Sequence, residues 1–161
     1  MRACGSSVSR RDRWRVASGY RAGAASAHYG DVMIRCVRLW TGPDDASHFE
    51  IGRLDLRPGR NDDLVSAVMP ATHVTVEETA TGGALAWHTA PVRQLVVTLA
   101  GSLVFSTRDG EEFTLGPGDV LLAEDTAGSG HKWRLEGEDP WQRMYVVLGD
   151  SVEVAFIAAD Q

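Results

Sequence analysis

From Met33 onward the chain is cut into short runs of β-branched, aliphatic and aromatic residues, each closed by Gly, Pro, Asp or Asn. Turn formers recurring at intervals of roughly 8–12 residues leave no room for the uninterrupted 3.6-residue periodicity that a helix needs, and they point to a sandwich or barrel. The pattern predicts strands at 33–40, 48–56, 72–79, 84–88, 93–100, 102–107, 112–115, 119–123, 131–136 and 143–149. The stretch 151–159 (SVEVAFIAA) reads equally as a last strand or a short helix. Among the turns, Arg108-Asp109-Gly110 is a hairpin signal, with a glycine available for positive φ. Gly116-Pro117-Gly118-Asp119 gives a tight entry to the following apolar run, because proline presets φ and glycine reaches conformations closed to other residues.

The 161 residues suit one domain with a real core, and no apolar run approaches the roughly 18 residues of a membrane span, so a soluble protein is expected. The net charge of −6 is unevenly spread: residues 1–32 carry six Arg against Asp12 and Asp31, while the remainder carries ten basic and twenty acidic side chains. An acidic body repels phosphates, which argues against nucleic acid and anionic membranes and for a small-molecule partner. Cys4 and Cys36 show no metal-binding or disulfide spacing, as expected of a reducing, cytoplasmic setting, and Cys36 in its apolar run reads as a small buried hydrophobe. Residues 1–32 are rich in Arg, Ser, Ala and Gly, without apolar periodicity or a signal-peptide core. They read as a disordered basic extension or as an upstream extension from a misassigned start, ahead of one β domain at 33–161.

Two histidines stand in informative surroundings. Gly82 is followed after five residues by His88, then by Thr89, Ala90, three residues, Gln94, six residues and Gly101. This spacing resembles the first motif of the cupin superfamily, G-x5-H-x-H-x(3 or 4)-E-x6-G, with Ala90 replacing its second histidine and Gln94 its glutamate. The second motif, G-x5-P-x-G-x2-H-x3-N, is looser: Gly118 opens it, Glu124 stands where proline is usual, the segment 125–130 is irregular, His131 follows, and Leu135 replaces the asparagine. The patterns H-x-A-P-x-R-Q from His88 and L-L-A-E-D-T-x-G-x-G-H to His131 look like a subgroup of single-domain cupins. The resemblance covers about 72–149 and implies an all-β, cupin-type jelly-roll β-barrel, assembled as a homodimer. Residues 33–56 read as edge strands that could be exchanged or stacked between subunits.

Period-2 alternation independently puts His88, Ala90, Gln94, Val96 and Thr98 on one face, and His131 with Trp133 on another, Lys132 and Arg134 pointing away. The expected site is an apolar pocket with a few polar groups, carrying His88 and His131 as candidate catalytic residues and His88, Gln94 and His131 as candidate metal ligands. The resemblance implies a divalent metal ion, Zn, Fe, Mn or Ni, although Gln94 offers only a neutral oxygen and Ala90 none. Glu124 or Asp125 could fold inward to add a carboxylate. Glu77 and Glu78 read as a solvated strand end, of which one could face the barrel; His73 reads as exterior or interface; Arg93 points away from Gln94, free to pair with an acid at a subunit contact or to reach a substrate at the rim. Trp87, Trp133 and Trp141 read as core or barrel mouth, and His28 and His48 carry no readable signal.

Three functions compete. The first is a metal-dependent enzyme, with isomerase, cyclase or lyase chemistry favoured over dioxygenase because the carboxylate ligand is missing. The second is a metal-free enzyme with His88 or His131 as general base beside Asp125 or Glu124. The third is a non-catalytic module that binds a small ligand.

Overall fold

In a computed structural model the described residues are 33–159. The expectation for residues 1–32 lies outside them. The strands are β1 Arg35–Thr41, β2 Ser47–Leu54, β3 Arg57–Pro58, β4 Leu64–Val65, β5 Ala71–Thr79, β6 Ala84–His88 and β7 Gln94–Ala100. They continue with β8 Ser102–Ser106, β9 Glu112–Leu115, β10 Val120–Glu124, β11 His131–Glu136, β12 Trp141–Leu148 and β13 Phe156–Ala158. No helix occurs among the described residues, so none is long and apolar enough to cross a membrane. The ambiguous 151–159 stretch ends in a strand, β13, which pairs with β2. β3 and β4 carry no pattern signal, since a two-residue ladder is too short to show alternation.

The pairing is nested. β8 pairs with β9, β7 with β10, β6 with β11 and β5 with β12, all antiparallel. This is one long hairpin coiled upon itself, the jelly-roll or double-stranded β-helix arrangement. It yields a small sheet of order β6-β11-β8-β9 facing a larger one of order β13-β2-β1-β10-β7-β12-β5. No ladder between described strands joins the two sheets, so the shell is an open sandwich and not a hydrogen-bonded closed barrel. The chain crosses between sheets at 80–83 and 89–93 through turns, which carry no ladder.

Between the sheets lies a core of Val37, Leu39, Val96, Leu103, Phe105, Phe113, Leu115, Leu121, Trp133, Leu135 and Trp141. A second cluster covers the outer face of the large sheet: Cys36, Leu95, Val120, Leu122 and Leu148 pack under Val152, Val154 and Phe156. Two covered faces explain why β10 is apolar at successive positions: Leu121 and Ala123 face the inter-sheet core while Val120 and Leu122 face the outer cluster.

The large sheet corrects the reading of 33–56 as edge strands. β1 lies inside it, parallel to β10 and antiparallel to β2. Cys36, Val37 and Leu39 are fully buried, and a strand that buries both faces this way belongs in the middle of a sheet. The edges of that sheet are β13 and β5.

Candidate functional site

On β11, Lys132 and Arg134 are exposed while His131, Trp133 and Leu135 are buried, the alternation expected from sequence. His131 stands directly opposite His88, the last residue of β6. Their rings lie 4.4 Å apart between centroids, tilted by 58°. Gly130 makes this approach feasible: its φ is +68°, and a Cβ there would overlap the His88 carbonyl. Gln94 opens β7 on the facing sheet, buried and opposite Ala123 and Val147. His88, Gln94 and His131 therefore line one cavity of about 600 Å³, within the range of small-molecule sites.

Hydrogen bonds fix the ring tautomers. The His88 Nδ1 lies 2.7 Å from the Ala86 carbonyl, which can only accept, so Nδ1 carries the proton and Nε2 the lone pair. Burial holds the His88 pKa below its ordinary value; the Ala86 carbonyl opposes this, and the neighbouring His131 reinforces it. The His131 Nδ1 lies 2.6 Å from Asp125 Oδ2, an oxygen that also accepts from Ser47 Oγ at 2.9 Å. Asp125 is fully buried, and its Oδ1 has no hydrogen-bond partner among the described residues. Its backbone carbonyl accepts from the Ala90 N–H, tying the irregular 125–130 segment to the turn after His88. Of the two acids before His131, Asp125 thus turns inward behind the imidazole. Glu124 faces the other way, bridging Arg38 at 2.7 Å and Arg93 at 2.8 Å. Arg93 points away from Gln94 as expected, with a partner inside the same chain.

Several cavity residues escape a sequence reading. β12 alternates Trp141, Arg143, Tyr145 and Val147 into the cavity. A strand begun at 143 leaves out Trp141, whose burial marks the inward phase and shows that an arginine shares it. His73, Thr75 and Glu77 on β5 also line the cavity at its open side and remain exposed, so His73 lies on the cavity face and not the outer one, while Glu77 is both solvated and turned toward the cavity. Apolarity misleads here, because β5 is an edge strand whose outward Val74 and Val76 stay 50% and 71% exposed. Its phase is set by pairing with Val147, Tyr145 and Arg143 of β12. Trp133 and Trp141 meet edge to face at 5.0 Å in the cavity wall. Trp87 lies away from it, with the Arg108 guanidinium 3.9 Å and the Lys132 ammonium 5.1 Å from its ring centre. Cys36 is buried as expected, and burial pushes its thiol up to about 12, which leaves it inert as a nucleophile.

The donor set bears on the metal implied by the resemblance. His88 and His131 offer two imidazole nitrogens and Gln94 a neutral amide, while Asp125 is spent on His131 and Ser47, and Glu124 on two arginines. Among the described residues no three His, Cys, Asp or Glu side chains are grouped to hold a metal ion. Such a set lacks the third strong donor of a catalytic divalent site and does not fit tight binding.

No family model matches the chain, and no curated protein matches it in sequence. Among solved structures, it is similar to a conserved protein of unknown function from Streptococcus pyogenes: TM-score 0.38, 19% identity, covering 56% of this chain and 73% of that one. It is also similar to an uncharacterized conserved protein with a double-stranded beta-helix domain from Klebsiella pneumoniae subsp. pneumoniae, at TM-score 0.41 and 21% identity, covering 65% of this chain and 85% of that one. Neither likeness is close enough to carry a function across. The fold stands on the chain's own strand order: four nested antiparallel pairs in two facing sheets make it an all-β jelly roll of cupin type.

Proposed function

We propose that the chain is a metal-independent enzyme that moves a proton on a small organic molecule held in the cavity, with His131 as general base. The observation that carries this reading is the fully buried Asp125 carboxylate, 2.6 Å from His131 Nδ1. A carboxylate in that place fixes the tautomer, leaves Nε2 as the basic atom, and stabilises the imidazolium once a proton has been taken. A buried carboxylate with one unpartnered oxygen is costly to keep for packing alone.

In the proposed step, His131 Nε2 takes a proton from the carbon beside a carbonyl, and the electron pair moves onto the carbonyl oxygen. The Gln94 amide N–H donates to that oxygen, a role a glutamate in its ionised form could not fill. His88, kept neutral by burial, accepts from a ligand hydroxyl. Return of the proton elsewhere gives isomerisation; loss of a leaving group gives elimination. Both outcomes belong to the isomerase, cyclase and lyase class.

The test is solvent exchange. Purified protein is incubated in deuterium oxide with pools of small carbonyl compounds and hydroxy acids, and deuterium incorporation at carbon is followed by NMR. Incorporation that disappears in His131→Asn and drops in Asp125→Asn is expected. Exchange that persists in His131→Asn, or a ligand that binds and is released unexchanged, overturns the reading, the latter in favour of a binding module. Metal analysis decides the metal-dependent alternative: far less than one equivalent of Zn, Fe, Mn or Ni is expected in active protein. Stoichiometric metal lost in His88→Ala would favour that alternative.

A further inference from the structure

Among the described residues one buried arginine lines the cavity, and its surroundings differ from those of an ordinary ion pair. Arg143 is 6% exposed and lines the cavity from β12. Its guanidinium is fixed by uncharged groups: it lies 3.9 Å from the Trp141 ring centre and 5.2 Å from that of Tyr145. Nε donates to Tyr145 Oη at 2.9 Å, and Nη1 donates to Thr79 Oγ1 at 2.9 Å and to the Trp141 carbonyl at 3.5 Å. Nη2 donates to Glu77 Oε2 at 2.9 Å. Of five N–H donors, one on Nη2 has no partner among the described residues.

The counter-ion is placed differently. Glu77 sits across the ladder from Arg143 on the edge strand β5, and its side chain is 49% exposed. A buried cation needs a compensating charge, whereas a half-exposed carboxylate recovers most of its hydration when it swings away. Arg143 therefore stays in place by stacking and neutral hydrogen bonds while Glu77 is exchangeable. An entering carboxylate can take over the Nη2 contact and the unspent donor in the bidentate geometry that guanidinium favours.

We infer that the ligand of this cavity is an elongated organic carboxylate, whose acid end binds Arg143 in place of Glu77 and whose reactive end reaches the histidines. The inference rests on the proton-transfer reading for what happens at the far end, and it adds the substrate class. The length follows from register. Arg143 is level with Thr98, and Gln94 lies four residues back along β7, a strand distance of about 13 Å. Val96 and Tyr145 line the stretch between. A two- or three-carbon acid is too short to occupy both ends, so the ligand carries a body of several apolar or planar atoms. The net negative charge of residues 33–161 disfavours anions in general, so a buried arginine in the cavity selects a carboxylate that also fits the aromatic wall.

The probes are octanoate and 4-phenylbutanoate with their primary amides, titrated calorimetrically into the wild type, Glu77→Gln and Arg143→Gln. The acids are expected to bind the wild type at least tenfold more tightly than the amides, and several-fold more tightly still to Glu77→Gln, which leaves Arg143 without its internal counter-ion. Arg143→Gln is expected to lose the preference for acid over amide. If Arg143→Gln does not fold, Glu77→Gln alone decides. Equal binding of acids and amides, no binding of either acid, or weaker acid binding in Glu77→Gln overturns the inference and leaves the pair as a cross-strand strut. The two readings fail separately: acid binding without deuterium exchange on any ligand removes the proton transfer and keeps the anchor, and exchange confined to uncharged ligands removes the anchor and keeps the proton transfer.

Discussion

Asp125 and Gly130 each hold one imidazole in its place by a different physical means, and each can be tested apart from any substrate. Asp125→Asn keeps the shape but puts an amide beside His131, so the ring's tautomer preference is expected to relax. Nitrogen NMR of the imidazole reads this directly, and exchange activity is expected to fall by on the order of 10²- to 10⁴-fold. Gly130→Ala and Gly110→Ala both place a side chain at positive φ, but only at Gly130 does the Cβ overlap another backbone, that of His88. Denaturant unfolding is expected to show Gly110→Ala losing about 1 kcal/mol or somewhat more from the dihedral alone, and Gly130→Ala losing distinctly more. For His88, burial first and then His131 lower the pKa, while the Ala86 carbonyl and Asp125 act the other way. In the unfolded chain the ring takes a proton near pH 6.5, and in the folded protein it resists. The folded state then binds fewer protons, so the contribution of His88 is complete above that pH and is lost as the pH falls through the folded value. Stability measured between pH 7 and pH 5 is expected to fall less in His88→Gln than in the wild type.

At the level of strands, doubly covered β10 gives the sharpest prediction: Leu122→Ala, in the outer cluster, is expected to cost about 2–5 kcal/mol, whereas Lys132→Ala on exposed positions of β11 should change unfolding by under about 0.5 kcal/mol. Strands that follow alternation are also the ones legible in the sequence. Gln94, Val96 and Thr98 on β7, and His131 and Trp133 on β11, face inward as their spacing says. The placement of β1 was not legible, because its parallel partner β10 lies some eighty residues away and parallel pairing leaves no local turn to read. The phase of β5 was misread for a physical reason: an open sheet edge leaves Val74 and Val76 in solvent and lets His73 and Glu77 face the cavity, the reverse of what burial of apolar residues would choose. Asp125 was legible only as one of two candidates, since a six-residue irregular segment has no period from which to tell which acid turns inward.

For the molecule as a whole, the sheet edges bear on assembly. A homodimer, implied by the cupin resemblance, would find its unpaired strand at β5, with Val74 and Val76 exposed, and not at β1. Light scattering is expected to give twice the chain mass for the wild type and the single-chain mass for Val76→Lys; a monomeric wild type removes the dimer. The nested pairing also sets the order in which the chain can fold. Of the four nested pairs only the β8–β9 hairpin joins near neighbours; each pair outside it closes a longer loop, ending with β5 and β12, so average contact separation is high and every outer closure costs more chain entropy until the inner one exists. The nested pairs should therefore form from the Arg108–Gly110 turn outward, on a millisecond-to-second timescale. The cavity wall that carries Glu77 and Arg143 would then be the last of the four nested pairs to come into being.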